Sequence, residues 1–149
     1  MPASASGGRI SHAIFRVARV HRLITGQLLR HVGLYPGQEL VMMHLWERGP
    51  QRQVDLIRLI DSDAPTMTRT VRRLEQAGFV RRSSSATDKR SVIVEPTAAS
   101  QALRREVEQL WAELEDITLG ELTAEEQTGT LRALERLEDN LTSWNAPDD

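Results

Sequence analysis

DSDAPTMTRTVRRLEQAGFVRRSSSATDKRSVIVEP, residues 61–96, changes its period halfway along. In the first half Met67, Val71 and Leu74 recur at spacings of four and three, the mark of one buried helical stripe. Ser62 or Asp63 can cap that helix, Pro65 suits its first turn, and Gly78 can adopt the left-handed conformation that closes it. The pattern predicts a helix over 65–77 with Thr66, Thr68, Arg69, Arg72, Arg73 and Gln76 facing outward. Beyond Gly78, FVRRS alternates weakly and SVIVE is a β-branched run, with polar SSATDK between them. Residues 79–95 therefore read as a two-stranded hairpin.

The helical period also runs back toward the start of the chain. Ile10, Ile14, Val17, Ile24 and Leu28 predict a first helix over 9–31, stopped by Gly33. Pro36 opens a second helix through about Arg48, with Leu40, Met43 and Trp46 or their neighbours inward and Gly49-Pro50 as terminator. After a short QRQ link, Leu56, Ile57 and Ile60 mark a third helix over about 54–60. Two short helices joined by a tight polar link, the second with an outward face of Thr and Arg, make a helix-turn-helix candidate. A hairpin directly after it is a wing. From about Thr97, Leu103, Val107, Leu110, Leu114 and Ile117 form a heptad-like seam. Gly120 interrupts it, Thr123 with Glu126 can form a capping box, and Leu131, Leu134, Leu137, Leu141 and Trp144 continue an apolar stripe.

Composition narrows the function classes. A chain of 149 residues fits one domain, and with 4% aromatic residues its core must come from aliphatic side chains carried on helices. The absence of cysteine excludes disulfides, thiolate metal sites and thiol redox sensing. MPASASGG has neither a charged leader nor an apolar h-region, and no apolar run approaches the roughly 20 residues of a membrane span, so no membrane partner and a cytoplasmic location are expected. Residues 1–8 and 145–149 are expected to be disordered. Net charge is −2, yet residues 69–90 hold seven basic groups against two acidic ones, while residues 104–149 hold thirteen acids against four arginines. A basic centre in an acidic chain points to a polyanion partner.

The order of these elements and the run TMTRTVRRLEQAGFVRRSSSATDKRSVIVEPT (66–97), with an Asp-x-Arg signature at Asp88, Lys89 and Arg90, resembles the multiple-antibiotic-resistance-regulator (MarR) family of bacterial transcription factors. LYPGQELVMMHLWERGP (34–50) resembles that family's second helix, and the likeness extends over about 9–144. The chain differs from the family pattern at PTAASQAL (96–103), where a Thr-acidic-Lys-Gly helix start is usual, and at Gln53-Val54-Asp55, where a small hydroxyl residue is common. The resemblance implies a mainly α fold with a small β-hairpin wing: a winged helix-turn-helix lobe over 36–96 and dimerisation helices over 9–35 and 97–144. It further implies an obligate homodimer that binds a pseudo-palindromic operator in double-stranded DNA.

The expected DNA-binding set is Pro65, Thr66, Thr68, Arg69, Arg72, Arg73, Asp88, Lys89 and Arg90. Arg69 and Arg73, four apart on one stripe with Thr66 a turn earlier, suit base edges in the major groove; Thr68 and Arg72 suit phosphates. At the wing, 83–91, Arg90 suits the minor groove, Lys89 a phosphate, and Asp88 is expected to brace the Arg90 guanidinium. Two plainer readings stand beside these: helix salt bridges, Arg72 with Glu75 or Gln76, and an ordinary Asp-initiated turn at the tip. A winged-helix module that docks an acidic protein is the alternative function, separable by the salt dependence of duplex binding.

An enzyme is not expected. Ser83, Ser84 and Ser85 have no nearby base, and His12, His21, His31 and His44 lack the spacing of a helical metal pair. No metal or cofactor is expected. The resemblance does imply a crevice for a small aromatic or anionic effector between the dimerisation helices and the lobe. His12, Arg16, His44 and Trp46 are its candidate lining, with ordinary packing or surface positions as the other reading.

Overall fold

The computed structural model describes residues 1–145. It contains six α-helices and one small antiparallel sheet: α1 (Arg9–His31), α2 (Gln38–Arg48), β1 (Gln51–Arg52), α3 (Gln53–Ile60), α4 (Ala64–Gln76), β2 (Val80–Ser84), β3 (Val92–Pro96), α5 (Ser100–Leu119) and α6 (Ala124–Thr142). Contacts divide the chain into two units, Met1–Leu114 and Glu115 onward.

The first unit is organised by the period change at Gly78. Met67, Val71 and Leu74 of α4 are buried, and they join Leu29 of α1, Val41, Met42 and Leu45 of α2, Leu56 of α3, Val80 and Val94 of the strands, and Leu103, Val107 and Leu110 of α5 in one core. Each such side chain stabilises the fold by about 1.5–3 kcal/mol. Asp61, in the left-handed region at φ 55°, makes the turn between α3 and α4, a conformation that Asp tolerates better than most residues. Gly78 at φ 84° then ends α4, as its amide bonds to the Glu75 carbonyl and the Phe79 amide to that of Leu74.

Several expectations shift by a residue or more. Helix α2 begins at Gln38, because Gly37 at φ 96° occupies the cap position and Pro36 lies in the approach. Its inward face is turned by one position: Val41, Met42 and Leu45 are buried, Met43 and Trp46 only partly, and Leu40 is exposed. Helix α5 begins at Ser100 instead of near Thr97, since Thr97 is tied to the end of α4, its Oγ1 donating to the Gly78 carbonyl (2.6 Å) and its amide to Phe79 (3.1 Å). The QRQ link contributes β1, so the hairpin becomes a three-stranded sheet in the order β1-β3-β2, with Gln51 opposite Val94 and Arg52 opposite Ile93. Residues 1–8, expected to be disordered, contain one 3-10 turn at Ala3–Ala5 held by local backbone bonds. The expected disordered tail is described only at Asn145; the rest lies outside the described residues.

On α1 the predicted inward residues Ile10, Ile14 and Val17 are exposed, as are Phe15 and Leu23, and only Leu29 is fully buried. The stripe was real, but one copy of the chain does not cover it. In the second unit, α6 starts with the expected capping box, in which Thr123 Oγ1 accepts from the Glu126 amide and the Glu126 carboxylate accepts from the Thr123 amide. Leu131, Leu134, Leu141 and Trp144 are exposed there too. No helix among the described residues is long and apolar enough to cross a membrane.

One buried acid makes the stability of the first unit depend on pH. Glu39, in the first turn of α2, is only 5% exposed, and its Oε2 accepts from the Gly37 amide at 2.9 Å. Burial raises its pKa above the ordinary 4.5, against the opposing hydrogen bonds from its own amide and that of Gly37. Its folded pKa is raised, so its contribution is full below the unfolded value and is lost as pH rises through the folded one. Glu39→Gln, which keeps an acceptor for Gly37, should therefore have a higher urea midpoint than the unsubstituted chain at pH 7, with the gap closing below about pH 4. An equal gap at both pH values would remove desolvation as the cause.

Candidate nucleic-acid interface

Asp63, not Ser62, caps α4. Its Oδ1 accepts from the Thr66 amide (2.8 Å) and its Oδ2 from the Thr66 hydroxyl (2.9 Å). Those two bonds, in that order, together with the Arg69 charge, hold its pKa below the usual carboxylate value. Arg69, Arg72 and Arg73 are exposed on the face opposite the buried stripe, as is Pro65 in the first turn. Arg69 extends back to within 3.5 Å of the Thr66 hydroxyl. Thr68, expected to face phosphate, is half-buried, and its hydroxyl accepts from Gln53 Nε2 at the start of α3 (3.1 Å). Gln53, within the stretch of α3 that departs from the family pattern, thus adds a hydrogen bond between α3 and α4.

Helix and wing are joined by Glu75. Its Oε1 accepts from Nε and Nη2 of Arg82 (3.1 and 2.9 Å), and its Oε2 accepts from the Arg82 amide (3.1 Å). This lowers the Glu75 pKa, chiefly through the Arg82 side-chain bond. It also takes away the carboxylate that Arg72 was considered to pair with. Across the wing, Arg81 opposes Glu95 in register and pairs with it at 2.8 Å. Two of the seven basic groups are thus neutralised within the fold. Among the described residues, Arg69, Arg72, Arg73, Lys89 and Arg90 have no ion-pair partner.

Asp88 corrects one expectation. Its carboxylate accepts from the Arg90 amide (3.0 Å) and the Ser91 hydroxyl (3.3 Å), while its carbonyl accepts from the Ser91 amide (3.0 Å). Asp88 therefore shapes the backbone of the wing tip and does not grip the Arg90 guanidinium, because an aspartate reaches an amide two residues on more readily than the end of a long side chain. Lys89 and Arg90 are left exposed.

Of the four candidate effector residues, Trp46 and Arg16 line different hollows. Trp46 donates from Nε1 to Ser100 Oγ (3.0 Å) and lines an open hollow of about 410 Å³ with Met43, Glu47, Arg104, Val107, Glu108 and Trp111. Arg16 lines a different hollow, with Met1, Arg9, Ile10 and Ala13. His12 and His44 line neither, and each holds a buried Nδ1 without a hydrogen-bond partner. Among the described residues no group of three or more His, Asp or Glu is placed to hold a metal ion. Sequence reasoning missed Gln53, Glu75, Arg82 and Tyr35, whose ring lies under Arg73. Only the Glu75–Arg82 tie left a signal, as opposite charges on either side of a predicted turn.

Comparison with known proteins gives a consistent picture. A model of the MarR family matches residues 34–92. A Bacillus subtilis protein, the uncharacterized HTH-type transcriptional regulator YwoH, is 30% identical over 119 residues, which is 78% of this chain and 86% of that protein. Among solved structures, an E. coli MarR variant complexed with operator DNA aligns with a TM-score of 0.80 at 22% identity, covering 92% of this chain and 99% of that one. Bordetella bronchiseptica BpsR, from a study of how 6-hydroxynicotinic acid regulates its DNA binding, aligns with a TM-score of 0.77 at 23% identity, over 87% and 98% of the two chains. With a relative of 30% identity across most of both chains, and the family model lying on the helix-turn-helix and wing, this chain belongs to the MarR family.

Proposed function

We propose that this chain is a homodimeric, ligand-responsive transcriptional regulator, in expectation a repressor, that works by binding double-stranded DNA and not by catalysis. The observation that carries this reading is the sorting of its central cations. Arg81 and Arg82 are neutralised by Glu95 and Glu75, while Arg69, Arg72, Arg73, Lys89 and Arg90 stay exposed and unpaired on α4 and the wing tip. An unpaired arginine retains the in-plane donors that read guanine in the major groove or fill a narrow minor groove. Arg69 and Arg73, with Thr66, read base edges; Arg72 and Lys89 hold phosphates beside Pro65 at the helix start; Arg90 enters the minor groove; Asp88 sets the tip that carries it. Thr68 donates its hydroxyl to phosphate, since Gln53 Nε2 engages only the acceptor side of that oxygen.

Dimerisation is supported by the exposed apolar residues. Phe15 is 76% exposed on α1 and Trp144 69% exposed just after α6, each accompanied by exposed aliphatic neighbours. Such clustered apolar surface is unusual for a monomer, and a second copy would bury it. A two-fold dimer reads two half-sites roughly 10 base pairs apart, hence a pseudo-palindromic operator in cytoplasmic DNA. The effector is an aromatic or anionic small molecule. Its best-supported place is the hollow between α2 and α5, where Trp46 and Trp111 offer flat apolar faces and Arg104, held by Glu108 at 3.1 Å, a cation. BpsR, regulated by an aromatic acid, supports that chemistry.

Two experiments test these assignments. In anisotropy titrations with an operator obtained by binding-site selection, Arg90→Ala should weaken binding to every duplex by about 1–3 kcal/mol, whereas Arg73→Ala should also relax base preference. Unchanged affinity in both variants would eliminate the docking mode. For the effector, titration with 6-hydroxynicotinic acid should quench tryptophan emission and raise the melting temperature, and Trp111→Phe should reduce the quench. No change in either signal would remove this hollow as the site for that acid.

A further inference from the structure

Tyr35 lies in the link of residues 32–37 between α1 and α2, and nothing in the helical pattern requires an aromatic ring there. Tyr35 is 62% exposed, yet the backbone that carries it is locked. Leu34, just before it, is buried and donates its amide to the Leu29 carbonyl at 3.0 Å. The Tyr35 amide donates to Gln38 Oε1 (3.0 Å), and the Tyr35 carbonyl accepts from the Gln38 amide (3.1 Å). Gln38 is itself buried, and Pro36 fixes the next φ. An exposed ring on so rigid a mount holds its position whether or not a partner is present.

What it holds is Arg73, whose guanidinium carbon lies 5.4 Å from the ring centroid, within the range of a cation–π attraction. We propose that Tyr35 is a positioning residue for sequence-specific DNA recognition, holding the Arg73 guanidinium by its face so that its donor edge stays free for a base. The proposal rests on the base-reading role given to Arg73 above. A carboxylate in the same place would orient the arginine equally well, but it would occupy the N–H groups and cancel the charge that DNA must meet. The ring attracts the cation through its quadrupole and engages none of the in-plane donors.

The surroundings explain why a holder is needed. Tyr35 and Arg73 both line two hollows, one of about 200 Å³ that reaches Thr66 and Arg69 and one of about 450 Å³ that reaches Gly33 and Phe79. Without the ring the long Arg73 side chain has open space around it and loses more rotamer freedom when it meets a base. Arg69 has its own guide in the Thr66 hydroxyl that Asp63 fixes. The two candidate base readers are thus oriented by separate neutral partners.

The test uses the full chain and four variants, titrated by anisotropy against the selected operator and a scrambled duplex of equal length. Tyr35→Phe, which keeps the ring, should bind both duplexes as the unsubstituted chain does. Tyr35→Leu, which keeps bulk but loses the quadrupole, should lose about two- to fivefold on the operator and nothing on the scrambled duplex, with an unchanged salt slope. In an Arg73→Ala background, Tyr35→Leu should have no further effect. Tyr35→Leu binding the operator as tightly as the unsubstituted chain, losing equally on both duplexes, or adding its loss to that of Arg73→Ala would each overturn the proposal while leaving Arg73 as a reader. An Arg73→Ala chain that keeps full discrimination would instead remove the parent role of Arg73, and the proposal with it.

Discussion

Glu75 receives three hydrogen bonds from one residue, Arg82, and through them the last turn of α4 is fixed to the first strand of the wing. Both side chains are about one-third exposed, so the pair adds little to global stability. Its importance is geometric. Helix and hairpin already share a core and the bonds from Thr97 to Gly78 and Phe79; the fork and backbone bond to Glu75 add a tie on the outer side that fixes their angle. Because the folded pKa of Glu75 is lowered, the tie is fully formed above the ordinary glutamate value of 4.5 and is lost only as pH falls through the depressed one. At neutral pH the helix and the wing act as one part.

That tie also sorts the charges. A chain with a net charge of −2 presents a cationic face because its acids are placed to neutralise selected arginines and leave others bare. Glu75 and Glu95 take Arg82 and Arg81, and Asp55 takes Arg52 through a bidentate fork at 3.0 and 3.1 Å. Asp63 and Asp88, which sit close to the bare cations, spend their lone pairs on backbone amides and hydroxyls. The anions near the proposed DNA face thus shape backbone while the cations beside them remain available to phosphate and bases.

Where a single local signal sufficed, the sequence was readable. The stripe of Met67, Val71 and Leu74, the glycine at 78 and the β-branched run 92–94 each mark their element alone, so α4 and the wing emerged within a residue or two. Features set by tertiary contact did not. Two residues of β1 are too few to alternate, and they are a strand only because β3 offers an edge. The inward face of α2 was set by packing, as the core took Val41, Met42 and Leu45 and left Leu40 outward. The reach of Gln53 and Tyr35 to α4 joins residues between elements, where no periodicity records it, whereas the turn made by Asp88 was legible as the plainer of two readings of the tip. The exposed stripe of α1 was legible as apolar, but sequence pattern says nothing of which chain covers it.

Hydroxyl-radical footprinting of the selected operator, with the unsubstituted chain and Glu75→Ala side by side, tests the union of helix and wing most directly. The unsubstituted chain should protect two half-sites on one face of the duplex, each with a central protection from α4 and a flanking one from the wing tip. Glu75→Ala should keep the central protection and lose the flanking one. Retention of both protections by the variant, or the absence of a flanking protection with the unsubstituted chain, would contradict it.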